Sequence, residues 1–299
     1  MKLPKRVRIV EVGPRDGLQN EPVALSWQDR TQFIDLLSAA GFSAIEAGAF
    51  VKPSLVPQMA DTGDVLKAIQ RNLGVRYPVL VPNAKGLQLA VESGAQEIAV
   101  FAAASESFSQ KNINMTIEQS LANYAEVVAQ AKGAGLWVRA YVSTAFDCPY
   151  EGAVPVKAVS SVANQLGKIG ADEIAIGDTI GTATPARVSK LTDSLLRVIP
   201  PERLAYHFHD TRGMAAANVL TAMLHGIWIF DSSAAGLGGC PFAPGAAGNL
   251  ASEDLLYMLS EMGIETGVDI EKLTEASRFV LEKLHRPAAS RTLQAILSK

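Results

Sequence analysis

Only four histidines occur in 299 residues, and two of them, His207 and His209, stand one residue apart in "RLAYHFH" (203–209). Alternate residues of a strand share a face. If this run is a strand, both imidazoles point the same way and can reach one metal ion; two structural histidines are the plainer alternative. Asp16 follows Arg15 in "VGPRDGLQNE" (12–21), either as a ligand or as a turn residue paired with its neighbour. Asn249 offers a neutral oxygen. One carboxylate, two imidazoles and one amide oxygen with open positions suit Mg²⁺ or Mn²⁺ and do not exclude Zn²⁺.

Three further groups join this list. Glu46 lies in the strand-like "AIEAGAF" (44–50), where a carboxylate needs a partner; Arg15 is the expected one. Asp178 ends "EIAIGDT" (173–179), as a site residue or as a cap for the next helix. Cys240, preceded by two glycines, sits in a Gly/Ala/Pro-rich stretch from 231 to 255 that is long enough to act as a lid. The bland reading is a small apolar residue tucked into the loop.

These residues need elements to bring them together. Strand-like runs occur at 7–13, 44–50, 75–82, 97–104, 137–144, 173–179, 203–209 and 228–235. Helical patterns alternate with them at 27–40, 61–71, 84–93, 117–134, 156–169, 185–197, 214–225 and 250–262. Eight such units in about 230 residues predict a TIM (β/α)8 barrel, whose sites form at the C-terminal ends of the strands. A doubly wound open sheet would carry a glycine-rich dinucleotide turn after the first strand, and "VGPRDGLQNE" is not one. We expect a single catalytic domain over 1–299, with the barrel at about 7–262 and extra C-terminal helices at about 265–299, packed near its mouth.

Composition bounds the function. Hydrophobic residues make up 48% and charged residues 19%, which is globular, and a net charge of −3 gives no field for nucleic acid. Two cysteines, Cys148 and Cys240, do not make a disulfide scaffold. The N-terminus runs directly into a strand pattern, and no apolar run reaches membrane-spanning length. The expectation is a cytoplasmic protein with no membrane or nucleic-acid partner.

The motifs "EVGPRDGLQNE" (11–21), "VPQM" (56–59), "AVFAAASESFSQKNIN" (99–114), "GDTIG" (177–181), "HFHDT" (207–211) and "GLGGCPFAPGAAGN" (236–249) resemble the 3-hydroxy-3-methylglutaryl-CoA lyase family. The resemblance runs from about residue 7 to 285. It implies a metal-dependent TIM barrel that releases acetyl-CoA from an acyl-CoA substrate by retro-Claisen cleavage, a step of leucine catabolism and ketogenesis. It implies Asp16, His207, His209 and Asn249 as ligands of Mg²⁺ or Mn²⁺. Arg15 would stabilise the enolate oxygen, Cys240 would take part in acid/base chemistry, and Glu46 and Asp178 would share the site. Asp16 or His207 is the candidate base. Gln19, Lys111, Asn112, Arg139 and Thr179 complete the expected substrate and CoA contacts, and a homodimer is expected.

The chain departs from the family pattern. The usual "SFVSPKWVPQ" reads "AFVKPSLVPQ" here, with Ala49 and Lys52. Ala175 replaces a second serine, Met115 and Thr116 replace Cys and Ser, and "HDTYGQ" becomes "HDTRGM" at Arg212 and Met214. A pocket built on hydrogen bonds discriminates strongly. Loss of two hydroxyls bears on the acyl group: hydroxymethylglutaryl-CoA, cleaved to acetyl-CoA and acetoacetate, is the expected substrate, and citramalyl-CoA, cleaved to acetyl-CoA and pyruvate, is the rival. Condensing synthases of the same group usually carry a large C-terminal regulatory region. A binding protein on a decayed barrel would not keep the full set of reactive residues.

Overall fold

In the computed structural model, which describes residues 3–239 and 248–298, eight parallel strands close into a ring. They are β1 (Arg8–Glu11), β2 (Ala44–Ile45, resumed at Gly48–Ala49), β3 (Val79–Leu80), β4 (Glu97–Ala103), β5 (Trp137–Ser143), β6 (Glu173–Asp178), β7 (Leu204–Phe208) and β8 (Ile229–Ser232). Each pairs with the next, and β8 returns to β1 in a register running from Arg8↔Ile229 to Glu11↔Ser232. The interruption in β2 falls at Glu46 and Ala47. Their N–H groups still donate to Glu11 O and Pro78 O at 2.8 and 2.9 Å, so the ring stays continuous. This is the predicted barrel.

The helices are α1 (Trp27–Ala39), α2 (Thr62–Ala68), α3 (Ala84–Glu92), α4 (Glu106–Ile113), α5 (Ile117–Gly133), α6 (Val156–Lys168), α7 (Pro185–Leu195), α8 (Ala215–Leu224), α9 (Ser252–Glu261), α10 (Ile270–Leu284) and α11 (Arg291–Leu297). α1 shows why they form. Ser26 caps it, its Oγ accepting from Asp29 N at 3.1 Å. Phe33, Ile34 and Leu37 are fully buried on one face, each stabilising by about 1.5–3 kcal/mol. Gly41, at φ +97°, turns the chain out of the helix where a Cβ would strike the Gly267 carbonyl oxygen.

Differences from the sequence reading are local. The run 75–82 shrinks to Val79–Leu80 because Pro78 and Pro82 have no N–H for the ladder. The helix expected over 61–71 covers Thr62–Ala68. α4 was not predicted; Ser105 starts it by accepting from Phe108 N at 3.2 Å. α10 runs along α1, where Lys283 pairs with Asp29 at 2.8 Å, and Ala289 N reaches Ala235 O at 3.1 Å beside the chain leaving β8. No helix among the described residues is long and apolar enough to cross a membrane.

Candidate metal centre and active site

β1 does not lead straight into a loop. Gly13–Gly17 forms one π-helical turn, with Pro14 in its first positions. The wide turn sends the consecutive side chains of Arg15 and Asp16 into the barrel mouth. Asp16 Oδ1 accepts from Arg15 Nη1 at 2.6 Å, and Arg15 Nη2 pairs with Glu46 Oε2 at 2.8 Å. The partner expected for Glu46 is therefore the one found.

Across the ring, His207 is in β7 and His209 lies just past it, in a bridge to Asn249. The two Nε2 atoms are 3.1 Å apart, and His207 Nε2 is 3.8 Å from Asp16 Oδ2. Ligand atoms of Asp16, His207 and His209 all lie within 4.8 Å of one another. Asn249 Nδ2 donates to Asp16 Oδ2 at 2.9 Å and to Leu237 O at 3.1 Å, while its buried Oδ1 has no partner among the described residues.

This set fits a divalent cation. Neighbouring ligands about 2.1 Å from one ion are about 3 Å apart, close to the spacing of the two imidazole nitrogens. Asn249 Oδ1, buried and unpaired, is a further oxygen at the site. His207 Nδ1 contacts Asp231 Oδ2 at 3.1 Å, which leaves Nε2 as the lone-pair nitrogen in the neutral ring.

Electrostatics sort the protonation states. Burial works against the Asp16 carboxylate, but Arg15, His207 and His209 outweigh it and hold its pKa well below the usual range. Burial, then the charge on His207, pushes His209 down to about 4 and keeps it neutral. Burial also opposes a charge on His207, yet its hydrogen bond to Asp231 and the charge of Asp16 prevail and raise its pKa. Burial raises Glu46 against the pull of Arg15.

Beneath this layer the barrel holds a charged ladder. Arg139 Nη2 reaches Asp231 Oδ1 at 2.6 Å, and its Nε reaches Glu173 Oε1 at 3.1 Å. Arg139 Nη1 donates to Tyr141 Oη at 3.2 Å, and Tyr141 donates in turn to Glu46 Oε2 at 3.2 Å. Arg139 is 1% exposed and lies under Tyr141. It does not line the cavity, so the expected substrate contact is corrected to a support for Asp231. Asp178 is likewise not in the cavity wall. Its two oxygens accept from Thr182 N at 2.9 Å and Ala183 N at 3.0 Å, so it braces the turn ahead of α7 without capping the helix itself, and burial raises its pKa to about 6.

A cavity of about 1020 Å³ rises from the buried histidines to an exposed rim. Its wall includes Arg15, Asp16, Gln19, Tyr141, Thr179, His207 and His209, and at the exposed end Lys52, Lys85, Lys111 and Asn112. Lys111 Nζ sits 3.8 Å from the centre of the Tyr150 ring. Ala49 and Ala175 are 1% and 0% exposed and do not line the cavity. The two missing hydroxyls are therefore not in its wall, whereas Lys52 and Met115, two of the other departures, are. Cys240 lies outside the described residues.

Sequence reasoning missed Asp231 and Tyr141. A signal was available for Asp231: like Glu46, it is a carboxylate inside an apolar strand, "WIFDSS", and must have a partner.

The sequence matches the family model described as HMGL-like over residues 6–280. It is 51% identical over 292 residues to the mitochondrial hydroxymethylglutaryl-CoA lyase of Bos taurus, covering 98% of this chain and 90% of that protein. The structure of hydroxymethylglutaryl-CoA lyase from Pseudomonas aeruginosa superimposes with a TM-score of 0.98 at 48% identity, over 100% of this chain and 99% of that one. An HMG-CoA lyase from Acenitobacter baumannii, in complex with coenzyme A and 3-methylmalate, matches with a TM-score of 0.94 at 39% identity, over 99% and 96% of the two chains.

Proposed function

The chain belongs to the HMGL-like family, and on that footing we propose that it cleaves hydroxymethylglutaryl-CoA to acetyl-CoA and acetoacetate with a bound Mg²⁺ or Mn²⁺. The observation that carries this reading is the convergence of Asp16, His207 and His209 beside Arg15 at the floor of a cavity with a cationic rim. Asn249, through its unpaired Oδ1, is the proposed fourth protein ligand.

When bound, the ion polarises the substrate hydroxyl and a neighbouring carbonyl oxygen. The chain's own residues do the rest. Asp16 or His207 is the proposed acceptor of the hydroxyl proton: both face the ligand cluster, and Asp231 holds the Nδ1 side of His207. As the hydroxyl collapses to a ketone, the carbon–carbon bond breaks and its electrons pass into the thioester enolate. Arg15 is the proposed hydrogen-bond donor to that oxygen. Two of its nitrogens are held by Asp16 and Glu46, and its buried Nε–H has no partner among the described residues. A proton from Cys240, directly or through water, would complete acetyl-CoA. Lys52, Lys85 and Lys111 suit the phosphates of CoA: all three line the cavity, and none has a carboxylate partner among the described residues. The homodimer expected from the resemblance is also a proposal, tested by sedimentation.

Steady-state kcat/KM for hydroxymethylglutaryl-CoA and citramalyl-CoA tests the substrate assignment. A clear preference for the first is expected; a preference for the second would overturn it.

A further inference from the structure

We infer that Glu11, which has no part in the chemistry, is the positioning residue that sets Asp16 and Asn249 at ligand distance from each other. This rests on the metal reading of that site. Glu11 ends β1 and is 0% exposed. Among the described residues no basic side chain pairs with it. Its Oε1 accepts from Gly13 N at 2.7 Å and Ala234 N at 2.9 Å, and its Oε2 accepts from Ser252 Oγ at 2.6 Å.

The partners are informative because each lies on a segment that leads to the site. Gly13 opens the turn that carries Asp16. Ala234 begins the outgoing arm after β8, and Ser252 follows the returning arm, which carries Asn249. The arms are joined by Ser233 N to Leu250 O and Ser252 N to Ser233 O, both 2.9 Å, and the returning arm is tied to β7 by Leu250 N to Phe208 O at 3.1 Å. One carboxylate thus fixes both sides of the Asp16–Asn249 hydrogen bond from below. The fit is close: a Cβ at Gly13 would come within 2.6 Å of Glu11 Oε1. A buried carboxyl group is costly to keep unless its oxygens are hydrogen-bonded, and a purely apolar filler could not accept from donors on three converging segments.

Glu11→Gln separates geometry from charge. Its amide oxygen can accept both backbone N–H groups, and its NH₂ can donate to Ser252 Oγ, which turns its own proton to Ser232 Oγ, 2.7 Å away. Glu11→Ala strands all three donors. Ser252→Ala removes one bond and guards against misfolding of the larger change.

The test is a Mn²⁺ titration of chelator-stripped protein, followed by electron paramagnetic resonance, with melting temperature measured in parallel. Wild type and Glu11→Gln should bind one ion with affinities within about 3-fold of each other. Ser252→Ala should weaken binding about 5-fold, and Glu11→Ala, where folded, by about 10–100-fold, the range for groups that orient metal ligands. If Ser252→Ala melts earlier but binds Mn²⁺ as tightly as wild type, Glu11 is a packing residue and the inference fails. It also fails if Glu11→Gln loses the ion as Glu11→Ala does. Failure of the wild type itself to bind would overturn the metal reading and this inference with it.

Discussion

Arg139 shows how a residue of the right type can have a different role from the one its sequence suggests. A cation in a barrel strand reads as a substrate contact, yet here it joins Glu173 to Asp231 and thereby holds His207. Arg139→Met would leave buried Asp231 without its guanidinium, while Glu173 would keep Arg8. The expected cost is about 3–5 kcal/mol, seen as a lowered denaturation midpoint. A substrate contact would instead give a raised KM at an unchanged midpoint. At this scale the sequence singled out residues that the structure brings together at the mouth, Arg15, Asp16, His207 and His209, because few types can ligate a metal or stabilise an enolate and they fell at strand ends. It did not show which buried acid meets which base. Asp231 and Tyr141 depend on neighbours brought in from β5, β7 and β8, and no local spacing encodes those contacts.

Among the elements, the long periodic helices and apolar strands were legible, and the devices that aim the site were not. A single π-helical turn differs from an ordinary loop by one hydrogen-bond register, so "GPRDG" gives no periodic signal. The feet of the loop after β8 are set by contacts between residues far apart in sequence, such as Asp210 N to Gly248 O at 2.8 Å. Gly248, at φ +77°, is the residue before Asn249, and any Cβ there would drive into the Gly238 carbonyl oxygen. Gly248→Ala should therefore cost more than the ~1 kcal/mol of left-handed strain alone and should lower kcat/KM at least 10-fold by displacing Asn249. Gly226, at φ +86° with open space around it, is the control. Gly226→Ala should show the strain in thermal melting and leave kcat/KM within 2-fold.

For the whole molecule, charge is distributed in two ways that make predictions. The net charge of −3 hides a rim of Lys52, Lys85 and Lys111 on one side of the mouth. Lys52→Ala and Lys85→Ala should each raise KM for the CoA thioester about 3- to 10-fold with kcat unchanged, and added salt should shrink the effect. The second concerns buried carboxyls. Burial raises Glu11 to about 8 and Glu253 to about 7. Between pH 6.5 and 8 both are ionised in the unfolded chain but still bind protons in the fold, so stability falls as pH rises. His207, also raised, acts in the same direction; His209, lowered to about 4, favours stability with rising pH only below its unfolded value and no longer opposes the trend. The melting temperature of chelator-stripped protein should drop across that window, and Glu11→Gln should flatten the drop. The proposed chemistry needs one ion held by residues from opposite ends of the chain, and metal-dependent cleavage tests that need. Chelator-stripped protein should leave hydroxymethylglutaryl-CoA intact, and added Mg²⁺ or Mn²⁺ should restore equal yields of acetyl-CoA and acetoacetate, but not in Asp16→Asn. Full turnover after chelation, or in Asp16→Asn, would contradict the account.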